Sequence, residues 1–206
     1  MSKTQMQPPE ISLLDSLVDV DDSLLIIIDV QEHFLAKLPA EERDPLVNRI
    51  GWLVRVATRL NVPVVVTAED IPHLGGVIPA IAEALPLESL VFNKMVFGLA
   101  GDEAIMAAVE ETGRGTAILA GLETDVCVAH SALGLRRAGF EVVVLADATA
   151  SPGSGHEPGL ERMRRAGVLV SSVKSLYYEW MRGVAQDNQF RAKHAGQLGL
   201  PEGVNL

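Results

Sequence analysis

Three ionisable side chains stand where apolar runs of this sequence end: Asp29, Lys94 and Cys127. Cys127 is the single cysteine among 206 residues, so it closes no intrachain disulfide and joins no cysteine-rich zinc site. A thiol is a strong nucleophile only as its thiolate, and a free thiol of pKa about 8.5 is only a few per cent ionised near neutrality. A fall of about two units, worth roughly 2.7 kcal/mol, would make it mostly thiolate. The dipole of one helix N-terminus, about 0.3–1 kcal/mol, falls short of that, whereas an ammonium within ~4–6 Å reaches it. The residue types therefore predict Lys94 as the activating cation, Cys127 as a nucleophile held as thiolate, and Asp29 as the proton shuttle. Each also has a plain structural reading: a strand-end aspartate as a cap, a loop lysine as solvated, a lone cysteine as a small buried hydrophobe.

The elements that must position these groups alternate along the chain. Apolar, β-branched runs predict strands at 24–28, 63–67, 90–92, 116–120, 141–146 and 168–170, the first buried on both faces. Helical periodicity predicts helices over 41–61, 78–84, 103–112, 125–138, 154–166 and 173–182. Strands alternating with helices give an α/β fold with a parallel sheet covered on both sides. In such sheets ligands sit outside the carboxyl ends of the strands, which is where Asp29, Lys94 and Cys127 fall. Gly121 is expected to permit a sharp exit from its strand, and Thr124 or Asp125 to cap the helix carrying Cys127. Residues 1–20 read as an N-terminal arm with a short helix around 11–17, residues 21–182 as the domain, and residues 183–206 as an irregular C-terminal extension.

Composition narrows the classes of function. A formal net charge of −10 leaves no basic stripe for nucleic acid. No apolar run approaches the ~18 residues that span a bilayer, and the N-terminus lacks a signal core, so a cytoplasmic protein without membrane partners is expected. Neither low-complexity sequence nor an internal repeat is evident.

Taken with their neighbours, these residues carry a family resemblance. Leu24-Leu25-Ile26-Ile27-Ile28-Asp29-Val30-Gln31 with Phe34, then Asn93-Lys94 with Phe97, then Gly121-Leu122-Glu123-Thr124-Asp125-Val126-Cys127-Val128, followed by Gly139-Phe140 and Asp147-Ala148, occur in one order. The ordered set resembles the isochorismatase-like cysteine hydrolases, relatives of nicotinamidases and N-carbamoylsarcosine amidohydrolase, over roughly residues 20–182. The resemblance implies a three-layer α/β/α sandwich with a six-stranded parallel sheet and a triad of Asp29, Lys94 and Cys127 acting through a thioester-type intermediate. It further implies a cis peptide at Leu122-Glu123, an oxyanion hole from backbone N–H groups near Glu123 and Cys127, and a homo-oligomer. Substrate contacts are expected from Gln31, Phe34, Phe97 and Thr124.

Departures from the family pattern matter. True isochorismatases lack the cysteine, so Cys127 favours acyl chemistry at a C–N bond of a small amide-type substrate. Nicotinamidases hold a metal with an Asp-x-His pair and a further histidine. The matching stretch here, Thr67-Ala68-Glu69-Asp70-Ile71-Pro72-His73, lacks that pattern, so neither metal nor other cofactor is expected. Asp70 and His73 read as loop polar groups, Glu123 as a charged residue at a spot that approaches the active site, with a side chain turned to solvent as its plain structural reading, and His156 as surface or subunit interface. Alternatives are a same-fold hydrolase of an ester or ether, a non-catalytic oligomeric small-molecule binder, and, weakest, a nucleotide-binding domain, since no GxGxxG follows the first strand.

Overall fold

The computed structural model describes residues 17–201 and residue 204. The short helix expected around 11–17 lies outside the described residues but for position 17. In chain order the elements are β1 (Ser23–Ile28), α1 (Glu32–Leu35), α2 (Ala40–Arg59), β2 (Val64–Glu69), α3 (Ile71–Leu74), α4 (Pro79–Ala82), β3 (Val91–Lys94), α5 (Glu103–Glu111), β4 (Thr116–Leu122), α6 (Ala129–Arg137), β5 (Glu141–Ala150), α7 (His156–Arg165), β6 (Leu169–Ser171), α8 (Val173–Met181) and α9 (Val184–Lys193).

The six strands form one sheet in the order β3-β2-β1-β4-β5-β6, and every neighbouring pair is parallel. All six residues of β1 are buried, as a strand covered on both faces requires, because successive side chains point to opposite sides. Leu25 and Ile27 pack on one side with Leu53, Val54 and Ala57 of α2 and with Leu176, Tyr177 and Trp180 of α8. Leu24, Ile26 and Ile28 pack on the other with Ile105 and Val109 of α5, Leu135 of α6 and Met163 of α7. The result is the α/β/α sandwich expected from the sequence. Strand order reverses between the central neighbours β1 and β4, and a crevice at their carboxyl ends is the position favoured for a ligand.

Several local expectations change. Gly121 is not the exit from a strand; it lies within β4, at φ +128°, and a Cβ there would sit 1.9 Å from the Ile28 carbonyl oxygen. Its requirement is backbone against backbone, a space no side chain can share. The cysteine segment opens as a π-helical turn, Thr124–Val128, that continues into α6. Neither Thr124 nor Asp125 caps it: Glu123 holds the cap position without a side-chain bond. Residues 183–206 are not irregular throughout, because α9 occupies part of them. Tyr177 donates its hydroxyl to Asp187 at 2.5 Å, and the Phe190 ring lies 6.2 Å from the Tyr177 ring. A mean hydropathy too low to signal a core helix hid α9 in the sequence, since a few aromatic contacts fix it.

Candidate active site

β1 ends at Ile28, and the next residue, Asp29, adopts φ +51°. That left-handed conformation is uncommon for a residue with a side chain, though Asp tolerates it better than most. Its N–H donates to the Thr67 carbonyl at 3.1 Å, and its Oδ1 accepts the Thr67 hydroxyl at 2.9 Å. Lys94 closes β3 rather than following it, and its side chain runs back under the rim to complete burial. Its Nζ lies 2.9 Å from Asp29 Oδ2, 3.6 Å from Cys127 Sγ and 3.3 Å from Glu69 Oε2, and donates to the Val96 carbonyl at 2.8 Å. The three predicted groups thus meet at one point, delivered by the ends of β1 and β3 and by the turn after β4.

A fourth group, unforeseen, joins them. Glu69, the last residue of β2, accepts the Cys127 thiol at 3.2 Å through the same Oε2 that receives Lys94. The sequence carried a signal for it, since Glu69 stands at a strand's carboxyl end like Asp29 and Lys94. Comparing its stretch only with a metal-binding pattern obscured that. Asp29, Glu69 and Cys127 place ligand atoms within 4.8 Å of one another, but the Lys94 ammonium contacts all three and fills the position a cation would take.

Electrostatics correct one expectation. Burial, then the Asp29 charge, then the hydrogen bond to Glu69, raise the Cys127 pKa well above its ordinary value, and Lys94 only partly opposes them. The shift runs against the thiolate expected from Lys94 alone, with burial of the sulfur foremost and the two carboxylates adding to it. Burial also raises the Asp29 pKa, with Lys94 and the hydrogen bond from Thr67 pulling against it. Burial opposes the Lys94 charge, yet Asp29, then Cys127 and Glu69, more than offset it and hold that pKa above its usual value.

The residues expected to touch substrate divide. Gln31 is fully buried and commits its amide to the protein: Nε2 donates to the carbonyls of Glu69 at 2.8 Å and Gly75 at 2.6 Å, and Oε1 accepts the Glu69 N–H at 2.7 Å. It fixes the end of β2. Thr124 is likewise buried and bonded to His156 Nδ1 at 2.9 Å, so His156 is a partner of the cysteine turn rather than a surface group. Phe34 is a core residue beneath the Lys37 ammonium, 4.5 Å from the ring centroid. Phe97 is 56% exposed on the rim, its ring 6.3 Å from that of His130. Glu123 is not turned free to solvent; it pairs with Lys37 at 3.0 Å. The Leu122-Glu123 peptide is cis. Asp70 pairs with His73 at 2.7 Å on the surface, apart from the reacting groups.

Comparison with known proteins agrees with this geometry. The family model described as the isochorismatase domain matches residues 23–175. The secreted isochorismatase effector Isc1 of Phytophthora sojae is 33% identical over 164 residues, covering 76% of each chain. YcaC from Pseudomonas aeruginosa, solved with hexane-2,5-diol and covalent acrylamide, superposes with a TM-score of 0.76 at 23% identity, covering 87% of this chain and 98% of that one. The YcaC gene product of Escherichia coli, described as an octameric hydrolase of unknown specificity, gives 0.78 at 24% identity, covering 87% and 91%. Among the described residues no helix is long and apolar enough to cross a membrane.

Proposed function

This chain belongs to the isochorismatase domain family, and from that premise we propose that it is a cysteine hydrolase cleaving the C–N bond of a small amide-type substrate. The observation that carries this reading is the buried contact of Lys94 Nζ with both Asp29, at 2.9 Å, and Cys127 Sγ, at 3.6 Å. A nucleophile, a cation and a proton-exchanging carboxyl group within reach of one another are the parts nucleophilic catalysis requires.

In this mechanism the thiol loses its proton as substrate binds, and the sulfur attacks the carbonyl carbon. Backbone N–H groups near Glu123 and Cys127 stabilise the oxygen as charge develops. Collapse expels the protonated nitrogen and leaves a thioester, and water activated by Asp29 releases the acid. Lys94 stabilises each negative charge formed next to it. Asp29 Oδ2 touches Nζ without an aligned hydrogen bond, so it keeps a lone pair for the proton of that water. Nicotinamidase-like metal chemistry is not part of the proposal, because the Lys94 ammonium stands among the acidic groups.

The chain is further proposed to act as a homo-oligomer. Leu87, Leu90, Met95 and Phe97 are exposed along the β3 edge of the sheet, an apolar stretch of the kind that copies of a chain cover.

A panel of small primary amides and ureas, followed by ammonia release and intact mass, tests the reading. Turnover and any acyl adduct should disappear in Cys127→Ala while the urea midpoint stays near wild type. Full turnover by Cys127→Ala would remove sulfur from the mechanism.

A further inference from the structure

We propose that Glu69 is the acceptor of the Cys127 proton, a fourth reacting group that holds the S–H hydrogen bond before substrate arrives and takes the proton as the sulfur attacks. The proposal rests on the cysteine-hydrolase reading above.

The thiol donates to Glu69 Oε2 at 3.2 Å, with the Lys94 ammonium 3.3 Å from the same oxygen, while Asp29 Oδ1 is taken by the Thr67 hydroxyl at 2.9 Å and Oδ2 is left with a lone pair for water. Glu69 is also held for the task. Its backbone N–H and carbonyl are both gripped by the Gln31 amide, at 2.7 Å and 2.8 Å, so the carboxylate does not swing with a loop. The side chains of Asp29 and Lys94 are 0% exposed and that of Glu69 is 18% exposed. Glu69 is thus the member of the set through which a proton can pass between the buried sulfur and water.

Other charges near the cysteine are already occupied. From the segment after β1, Lys37 pairs with Glu123; from α7, His156 is bonded to Thr124. Asp125 accepts the Ser151 hydroxyl at 2.6 Å, and His130 stands exposed on α6 beside Phe97. Among the described residues Asp29, Lys94 and Glu69 are the charged groups that reach the sulfur.

The two carboxylates then divide the cycle. In acylation the S–H proton moves to Glu69 Oε2, the sulfur lone pair forms the bond to the carbonyl carbon, and the carbonyl π pair moves onto oxygen. As that pair returns, the C–N bond breaks and its electrons leave with nitrogen, which takes the proton from Glu69. In deacylation Asp29 takes a proton from the attacking water. The C–S bond breaks, and that proton reaches the sulfur, regenerating the thiol with Glu69 again a carboxylate.

The test uses full-length Glu69→Gln and Glu69→Asp, with folding checked by urea unfolding. Iodoacetamide alkylation is followed by intact mass against pH, and amide hydrolysis over the same panel of amides and ureas. Removing the neighbouring negative charge should lower the alkylation midpoint by about one unit. Thiolate at pH 7 then rises about tenfold, and the lower nucleophilicity of a more acidic thiol leaves a net gain of about threefold in alkylation. Hydrolysis should move the opposite way, falling about 10²–10⁴-fold in Glu69→Gln, with partial recovery in Glu69→Asp. A merely structural residue would not speed one reaction while slowing the other. Hydrolysis at the wild-type rate in Glu69→Gln, or an unmoved alkylation profile, overturns the proposal, and the alkylation arm decides alone if no amide in the panel is hydrolysed. Loss of turnover in Cys127→Ala with Glu69→Gln unaffected would leave the cysteine mechanism standing without Glu69. Retention of turnover in Cys127→Ala would remove the underlying reading instead.

Discussion

Replacing Lys94 by methionine keeps the length of the stem and deletes the charge, which isolates what the ammonium does. In the wild-type protein Nζ contacts Asp29 at 2.9 Å with both side chains 0% exposed. At that distance and an effective dielectric near ~20, the pair attracts by about 6 kcal/mol, and breaking such a pair typically costs about 3–5 kcal/mol because the surviving charge stays buried. Asp29 escapes part of this by binding a proton. Its pKa is already raised by burial, with Lys94 the main opposing influence, so removing the lysine raises it further. For a carboxyl group raised in the folded state, the extra stability is full below its unfolded pKa of about 3.9 and is lost as pH climbs toward the folded value. Lys94→Met should therefore be more stable at pH 5 than at pH 8. Within that window the slope is about 1.4 kcal/mol per pH unit, steeper than in wild type. Urea unfolding at pH 5, 6.5 and 8 measures it, and the double variant Asp29→Asn/Lys94→Met should recover most of the loss at pH 8 and flatten the slope. A slope equal to wild type, or a double variant no more stable at pH 8 than Lys94→Met, would refute the buried-pair account.

Gly121→Ala places a Cβ 1.9 Å from the Ile28 carbonyl oxygen at φ +128°, so β1 and β4 must separate. A loss of more than about 3 kcal/mol in urea unfolding is expected, and little change would mean the strands do not approach as described. Phe190→Ala removes the ring that α9 lays near Tyr177. It should cost about 1.5–3 kcal/mol and increase hydrogen exchange over residues 184–193, whereas an α9 that does not dock would leave both unchanged.

Most of the architecture was legible because it rests on local patterns. The apolar run after Ser23 is too short for a buried helix and too continuous for a strand with one wet face, so a central parallel strand followed. The strand-end placement of Asp29, Lys94 and Cys127 pointed to one rim. What escaped was set by contacts between segments distant in sequence. Glu69 becomes a site residue only because Gln31, 38 positions earlier, grips its backbone. The upward pull on the Cys127 pKa escaped while Lys94 was counted without the burial of the sulfur and the charge of Asp29. The bonds that Gln31 and Thr124 make within the protein were not legible, because a polar residue near a catalytic motif looks the same whether it faces a substrate or a neighbouring strand. The helix in the tail has little apolar periodicity and is fixed by Tyr177, Asp187 and Phe190 acting together.

At Gly121 two main chains touch with nothing between them. Asp29 leaves one of those chains a residue later, and the cysteine turn leaves the other. The gap between acid and sulfur is therefore gauged by the least compressible contact a protein can make, bare peptide on bare peptide. The sulfur rides on a turn that runs straight into α6, so the reaction geometry stays intact for as long as that turn and the centre of the sheet hold together.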